Sequence, residues 1–414
     1  MTVRPAHVVA AVAALVVTAS AVGAALTFPA PAGWAVGPGP AKRVFSARLD
    51  ADHLGRQVAV FVRGPGGARW FGDRAQASVA GGSTSKLATA TAALLALGPD
   101  RELSTQVWSL PGSGRLSLVG GGDGLLTRSD VDRLAAQTVG ALTASGQHEV
   151  SVAVDDARFG RPVPAPGWPS GSVPLEASAV VPLGFVGPHA THPSMQVGHY
   201  FANRLTLGGI TVTTVRQGVR PAGSTLLTAI PGHRVDAVVR HLLTVSDTDA
   251  VERLARLVAA QTGHRPTWNG VRHAIPEVLA QAGLPMRGVV IRDGSGLSRL
   301  DRVTPRFLVS LLQLAEGPTT TDLSPALVSG LPVAGLTGTL GPGTGRYVTS
   351  PSSCARGLVR AKTGSLRATV ALAGLAATRT GATRTFAIVV TGRPPTLATR
   401  RLVDGLAATL TGCW

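Results

Sequence analysis

The sequence predicts a mixed α/β (α+β) fold. One sheet is built from both ends of the chain, helices pack on it, and an α/β subdomain is inserted between them. Three observations predict this. An early strand, Val58–Val62, is followed by a hairpin partner at Trp70-Phe71. A late group of runs, Gly357–Ala361, Ala368–Leu375 and Phe386–Val390, has the composition of sheet strands. Between these groups most segments are helical, apart from one stretch where strands and helices alternate.

Each element follows from its residues. Val8–Leu26 is almost entirely apolar and carries no charge, with Arg4 before it and Pro29, Pro31, Gly33 and Gly37 behind. It reads as an export signal or an uncleaved membrane anchor. Residues 1–28 are therefore expected to be an export segment and 29–44 a Pro/Gly-rich linker, with the body of the protein outside the cytoplasm. Gly81-Gly82 introduces a helix over Ser83–Leu97, which Gly98-Pro99 ends. Gly120–Gly124 is a turn, Asp130–Ser145 an amphipathic helix and Val150–Val154 a strand. Residues 162–193 are rich in proline and glycine and read as loop. A short helix at Phe201–Leu207 and a strand at Ile210–Val215 follow. This alternation places the inserted subdomain at 117–221, leaving 45–116 and 222–414 to the main domain. Helical patterning resumes at Arg234–Leu243, Ala250–Gln261 and Ile275–Ala282. A strand is expected at Val289–Ile291, before the turn Asp293–Gly296. Phe307–Leu314 and Val403–Leu410 are the last helices.

Composition excludes several classes. Apolar content of 44% and charged content of 15% in 414 residues fit a globular protein with a sizeable core. There are 39 basic against 22 acidic residues, a net charge of +17. Such a chain could meet nucleic acid or an anionic surface. It has no zinc-finger spacing, no aromatic-rich binding strand and no long basic run, so no nucleic-acid partner is expected. The arginines are spread along the chain and read as a generally basic surface. Cys354 and Cys413 are the only cysteines. Outside the cytoplasm they can form a disulfide, tying the carboxy terminus to the segment before Lys362; the alternative is two buried thiols.

Three of the basic residues are lysines: Lys42, Lys86 and Lys362. Coding bias accounts for the shortage, so their placement is what informs. A guanidinium keeps its proton at any working pH, whereas burial or a neighbouring cation lets an ammonium release one. Lys86 ends Ser83-Thr84-Ser85-Lys86, one helical turn from Ser83. Serine is a weak nucleophile until a base takes its proton, and Lys86 is placed to be that base. Ser246-Asp247-Thr248 follows a helical stretch, and Lys362-Thr363-Gly364-Ser365 lies on an expected strand. Ser-x-x-Lys alone is common. Followed in order by Ser-Asp-x and Lys-Thr-Gly, it is specific.

Together these segments resemble the D-alanyl-D-alanine carboxypeptidase/endopeptidase family of low-molecular-mass penicillin-binding proteins, the serine-type kind with a large insertion between the first two motifs. Asp293-Gly294-Ser295-Gly296-Leu297-Ser298 with Arg302-Val303-Thr304-Pro305, Gly120–Asp123, Asp155-Asp156 with Phe159, and Leu331–Gly335 with Gly338–Leu340 are similar to family stretches. The resemblance covers the chain from about residue 45 onward. It implies a penicillin-binding-protein/β-lactamase-like fold, an antiparallel sheet with helices on both faces. It implies Ser83 as acylated nucleophile, Lys86 as general base, Ser246 as proton relay and Lys362 as partner of the substrate's terminal carboxylate. Thr363, Gly364 and Ser365 would line the substrate, with the Ser83 and Ser365 N–H groups as oxyanion hole. No cofactor or metal is implied. The implied partners are peptidoglycan stem peptides ending in D-Ala-D-Ala, with β-lactams as covalent inhibitors, and residues 8–26 give a candidate membrane anchor.

Two positions depart from the family pattern: Thr248 and, more mildly, Val251, where a small residue is more usual before Glu252. Thr248 stands where asparagine is usual, and one hydroxyl replaces an amide that both donates and accepts. A catalytically impaired wall-binding homologue, or a β-lactamase or esterase on the same fold, are the alternative readings. His189, His192 and His199 lie in a loop without a nearby carboxylate or cysteine in sequence, and read as ordinary loop histidines rather than metal ligands.

Overall fold

The computed structural model describes residues 39–414 except 53, 55–56, 317–323 and 414. Helix α1 (Gly39–Ala51) comes first, then the hairpin β1 (Val58–Arg63) and β2 (Arg69–Asp73). Helix α2 (Lys86–Leu97) follows a 3-10 turn over Gly82–Ser85. Strands β3 (Thr105–Leu110) and β4 (Arg115–Val119) precede α3 (Arg128–Ala144) and β5 (Glu149–Asp155). The single turn α4 (Ser172–Leu175), α5 (Pro193–Leu207), β6 (Thr211–Gln217) and β7 (Thr225–Ile230) come next. A helical run follows: α6 (Val235–Val245), α7 (Thr248–Gln261), α8 (Trp268–Gln281), α9 (Pro305–Glu316) and α10 (Ser324–Gly330). Strands β8 (Val359–Leu366), β9 (Thr369–Ala377) and β10 (Thr383–Thr391) lead to α11 (Leu397–Thr409).

The first sheet runs β2-β1-β10-β9-β8 and is antiparallel throughout. Successive side chains of a strand point to opposite faces. Val58, Val60 and Val62, with Phe386, Ile388 and Val390, pack with Phe45 of α1 and Val403 and Leu406 of α11. Phe61, Ala387 and Val389 belong to the other face, with Leu87 of α2 and Phe307 of α9. Burying each large side chain contributes about 1.5–3 kcal/mol. A one-residue slip of β1 would exchange its two apolar sets, which pins the register. The two chain ends meet where β1 pairs with β10, and helices cover both faces of this antiparallel sheet, the architecture expected from the sequence.

The second sheet runs β6-β5-β4-β3-β7. Its β4-β5 and β5-β6 pairs are parallel, joined through α3 and α5, whereas β3 pairs antiparallel with β4 and β7. It therefore draws on residues from Thr105 to Ile230, wider on both sides than the expected 117–221. Strand β7 buries only Ile230 fully and both β3 and β7 mix polar with apolar residues, so neither carries a strong apolar signal. Residues 38–414 group as one compact unit.

Other expectations are corrected. Residues 39–44, expected in the linker, already belong to α1. Helix α5 starts at Pro193, whose fixed φ suits a first helical position. Val289–Ile291 is no strand; Val290 makes one bridge, to Arg302. The export segment expected at 8–26 lies outside the described residues. Among the described residues no helix is long and apolar enough to cross a membrane.

Candidate active site

Ser83 lies in the 3-10 turn that leads into α2, and Lys86 is the first residue of that helix. Lys86 Nζ donates to Ser83 Oγ at 3.1 Å and to Thr248 Oγ1 at 3.4 Å. The turn lies against β8 at a distance that only glycine permits. A Cβ on Gly82, whose φ is +54°, would sit 2.9 Å from Ser365 N. A Cβ on Gly364 would press into the Gly81 carbonyl oxygen. The glycine of Lys-Thr-Gly thus lets the strand reach the serine turn.

Ser246 caps α6 in the left-handed conformation, φ 65° and ψ 35°. Outside glycine this geometry is uncommon and is held only by its surroundings. Lys362 Nζ donates to Ser246 Oγ at 2.9 Å and to Thr363 O at 3.0 Å. The Thr363 and Thr339 hydroxyls are 2.8 Å apart. Ser83, Ser246, Thr363 and Ser365 line one cleft of about 380 Å³. The residues singled out from the sequence are therefore brought together: two hydroxyl–amine pairs, Ser83–Lys86 and Ser246–Lys362, with Thr248 bonded to the first.

Both amines are buried: Lys86 is 1% exposed and Lys362 0%. Burial lowers the pKa of each below the ordinary lysine range. At Lys86 the carboxylates of Glu252, Asp293, Asp247 and Asp249 partly offset this. At Lys362 the neighbouring charges of Lys86 and Arg346 push the same way as burial, and the pKa falls further. A serine hydroxyl bonded to a buried amine whose pKa is lowered is a geometry that can activate a nucleophile.

Residues 42–180 and 170–411 match the profile of the D-Ala-D-Ala carboxypeptidase 3 (S13) family. The chain belongs to this family. It is 31% identical over 401 residues to carboxypeptidase DacB of Mycolicibacterium smegmatis, covering 91% of this chain and 85% of that protein. A carboxypeptidase of Mycobacterium tuberculosis is 31% identical over 354 residues, covering 80% of this chain and 75% of its own length. Among solved structures, penicillin binding protein 4 (dacB) from Haemophilus influenzae superposes with a TM-score of 0.73 at 19% identity, covering 88% of this chain and 98% of the other. That protein has also been solved in complex with a beta-lactam. As an S13 family member the chain is a carboxypeptidase of the serine hydrolase type, on the penicillin-binding fold.

The S13 site also holds Glu252 and Asp249, which motif reading missed, beside the Asp293 turn and His189, which the sequence reads as structural. Glu252, on α7, accepts from the N–H groups of Gly294 (2.8 Å) and Ser295 (2.9 Å). Burial, then the charge of Asp293, raises its pKa to about 8. Asp293 holds the same turn by accepting from Gly296 N (2.7 Å), Ser298 N (2.7 Å) and Trp168 Nε1 (2.6 Å). Asp249, next to Thr248, accepts from Ser178 N at 2.6 Å, from the Ser178 hydroxyl and from His189 Nδ1. Burial raises Asp249, yet the bonds from His189 and Ser178 and the charge of Arg253 hold it below the usual carboxylate range. His189 thereby fastens the inserted segment to α7, and its bond to Asp249 raises its own pKa. At the Thr363 end, Arg346, Thr344 and Arg400 complete the cleft wall. Arg346 and Arg400 have no motif around them, and in so arginine-rich a chain nothing sets them apart.

Cys354 and Cys413 form a disulfide with a Cα–Cα distance of 5.9 Å. It ties the end of the chain after α11 to the turn before β8.

Proposed function

We propose that this protein is an exported serine-type D-Ala-D-Ala carboxypeptidase/endopeptidase that acts on peptidoglycan stem peptides through an acyl-enzyme on Ser83 and is inhibited by β-lactams. The observation that carries the reading is the 3.1 Å contact from Lys86 Nζ to Ser83 Oγ, facing the Lys362–Ser246 pair across one cleft. Family membership supports the reaction class. The beta-lactam complex of the Haemophilus influenzae protein supports β-lactam recognition by this fold. The apolar run at 8–26 and the disulfide, a bond that persists in oxidising compartments, support export.

The chemistry follows from the two pairs. Neutral Lys86 takes the proton of Ser83 as Oγ attacks the carbonyl carbon of the penultimate D-alanine. The backbone N–H groups of Ser83 and Ser365 receive the oxyanion. The C–N bond breaks, and the leaving amine takes the proton from Lys86 by way of Ser246. Water, losing its proton to Lys86, then cleaves the ester and restores Ser83. A substrate carboxylate entering the cleft supplies the anion that the surroundings of Lys362 lack. It raises the pKa of Lys362, and a charged Lys362 in turn favours the neutral form of Lys86. Thr248 keeps the contact with the base but has no amide donor for the substrate, so positioning is weaker than with asparagine.

Diacetyl-L-Lys-D-Ala-D-Ala tests the reading. Purified protein is expected to release D-alanine, and Ser83→Ala to release none. Absence of release by the wild-type protein would overturn it.

A further inference from the structure

We infer that Arg63, Arg69, Arg74 and Arg306 form a second binding site, separate from the cleft of Ser83, that takes the phosphate group of an anionic ligand. The four side chains line one pocket of about 350 Å³ together with Phe61 and Gln76. No carboxylate lines this pocket, and it shares no lining residue with the cleft. Arg63 ends β1, Arg69 begins β2, Arg74 follows β2, and Arg306 is the second residue of α9. The backbone joins the helix to the hairpin, because Arg306 N donates to Ala75 O at 3.0 Å. Asp73, next to Arg74 in sequence, lines a different pocket with Ser46 and Asp50 of α1.

The arrangement is unfavourable without a counter-charge. Arg63 and Arg69 are direct partners in the antiparallel β1-β2 pair, beside a bulge. Like charges directly opposite each other destabilise a sheet. Other arginines of this chain reach carboxylates: Arg133 meets Asp130 at 2.7 Å, Arg204 meets Asp132 at 2.8 Å and Arg240 meets Asp236 at 2.9 Å. None of these four makes an ion pair with a described residue. Arg63 Nε is buried with no hydrogen-bond partner among the described residues. A buried donor left unpaired costs free energy that a ligand oxygen restores. Arg69 Nη2 donates to Gly72 O at 2.9 Å, which holds that side chain on the hairpin. Charged residues also protect an edge strand from pairing, and β2 is an edge. That accounts for Arg69 but not for Arg306, which comes from a helix, nor for the buried Nε of Arg63. A guanidinium fork matches the oxygens of a phosphate. One carboxylate would offset one charge of four, whereas a phosphate monoester carries nearly two negative charges at neutral pH. The shared chemistry is thus a phosphate group, from a soluble ester or from the headgroup of an anionic lipid.

The test has two arms and uses the full chain. Titration calorimetry with glycerol phosphate reads the soluble source. Co-sedimentation with vesicles of phosphatidylglycerol, against vesicles of phosphatidylcholine, reads the lipid source; the apolar run at 8–26 acts on both vesicle types and cancels in their ratio. The wild-type protein is expected to bind in at least one arm. Arg74→Gln/Arg306→Gln removes two exposed arginines of the pocket and should weaken that binding by about tenfold or more. Without ligand the same variant should melt at or above the wild-type temperature, because like-charge repulsion falls, and it should keep D-alanine release. Arg265→Gln/Arg287→Gln removes the same charge from exposed positions outside the pocket and should leave binding within about twofold of wild type. Binding of glycerol phosphate identifies a soluble ester, and binding to phosphatidylglycerol vesicles alone identifies a lipid headgroup; either supports the site. A wild-type protein that responds in neither arm, a pocket variant that binds as wild type, or an equal loss in the two double variants would overturn the inference.

Discussion

Lys86 and Lys362 are both buried, and each donates to one serine, yet their surroundings have opposite sign. Lys86 has Glu252, Asp293, Asp247 and Asp249 around it, whereas Lys362 has the positive charges of Lys86 and Arg346. Two chemically equal side chains are thereby given different tasks. On the proposed function Lys86 is the base, and the carboxylates around it oppose the lowering of its pKa by burial. On the same proposal the substrate carboxylate supplies the anion at Lys362, whose pKa burial, Lys86 and Arg346 all lower.

Replacing each lysine by arginine gives the largest expected effects and sharpens the comparison. Lys86→Arg keeps the charge but cannot accept the Ser83 proton, so D-alanine release should fall by about 10²- to 10⁴-fold, mainly in kcat. Lys362→Arg keeps what the carboxylate side requires and should cost less, about 10- to 100-fold, mainly in KM. Equal losses measured by steady-state kinetics would break the distinction.

The disulfide belongs to the Lys362 side, because Cys354 precedes β8, which carries Lys362. Replacing both cysteines by serine should lower stability by about 3–4 kcal/mol, measured by denaturant unfolding. An unchanged midpoint would show that the bond constrains nothing.

Glu252 probes the Lys86 side. Its folded pKa of about 8 lies above its unfolded value, so the folded state holds the proton more tightly. That stabilisation is complete below the unfolded pKa, about 4.3, and is lost as pH rises through about 8. Glu252→Gln removes the titration. Its Tm, relative to wild type, should therefore rise between pH 5 and about 8.5. A difference independent of pH would remove Glu252 from this role. The smallest effect is expected at Thr248→Asn, which restores an amide donor and should raise kcat/KM by about three- to tenfold.

The chemistry was more legible in the sequence than its support. Ser83, Lys86, Ser246 and Lys362 stood out because a lysine-poor chain keeps two lysines in hydroxyl-containing motifs, and a helical turn alone brings Ser83 to Lys86. The first sheet was legible because Val58–Val62 and Phe386–Val390 are continuous apolar runs. Strands β3 and β7 were not, because both mix polar with apolar residues and are only partly buried. Glu252, Asp249 and His189 acquire meaning only through partners far away in the chain, such as Gly294 and Ser178. Arg346 and Arg400 were hidden by the abundance of arginine, and only the fold brings them to the cleft wall.

Intact-protein mass spectrometry after incubation with benzylpenicillin, followed by peptide mapping, tests the central claim most directly. The account predicts one covalent adduct per chain, located on Ser83, formed much more slowly in Lys86→Arg and absent in Ser83→Ala. An unmodified wild-type protein, or an adduct on any other residue, would contradict it.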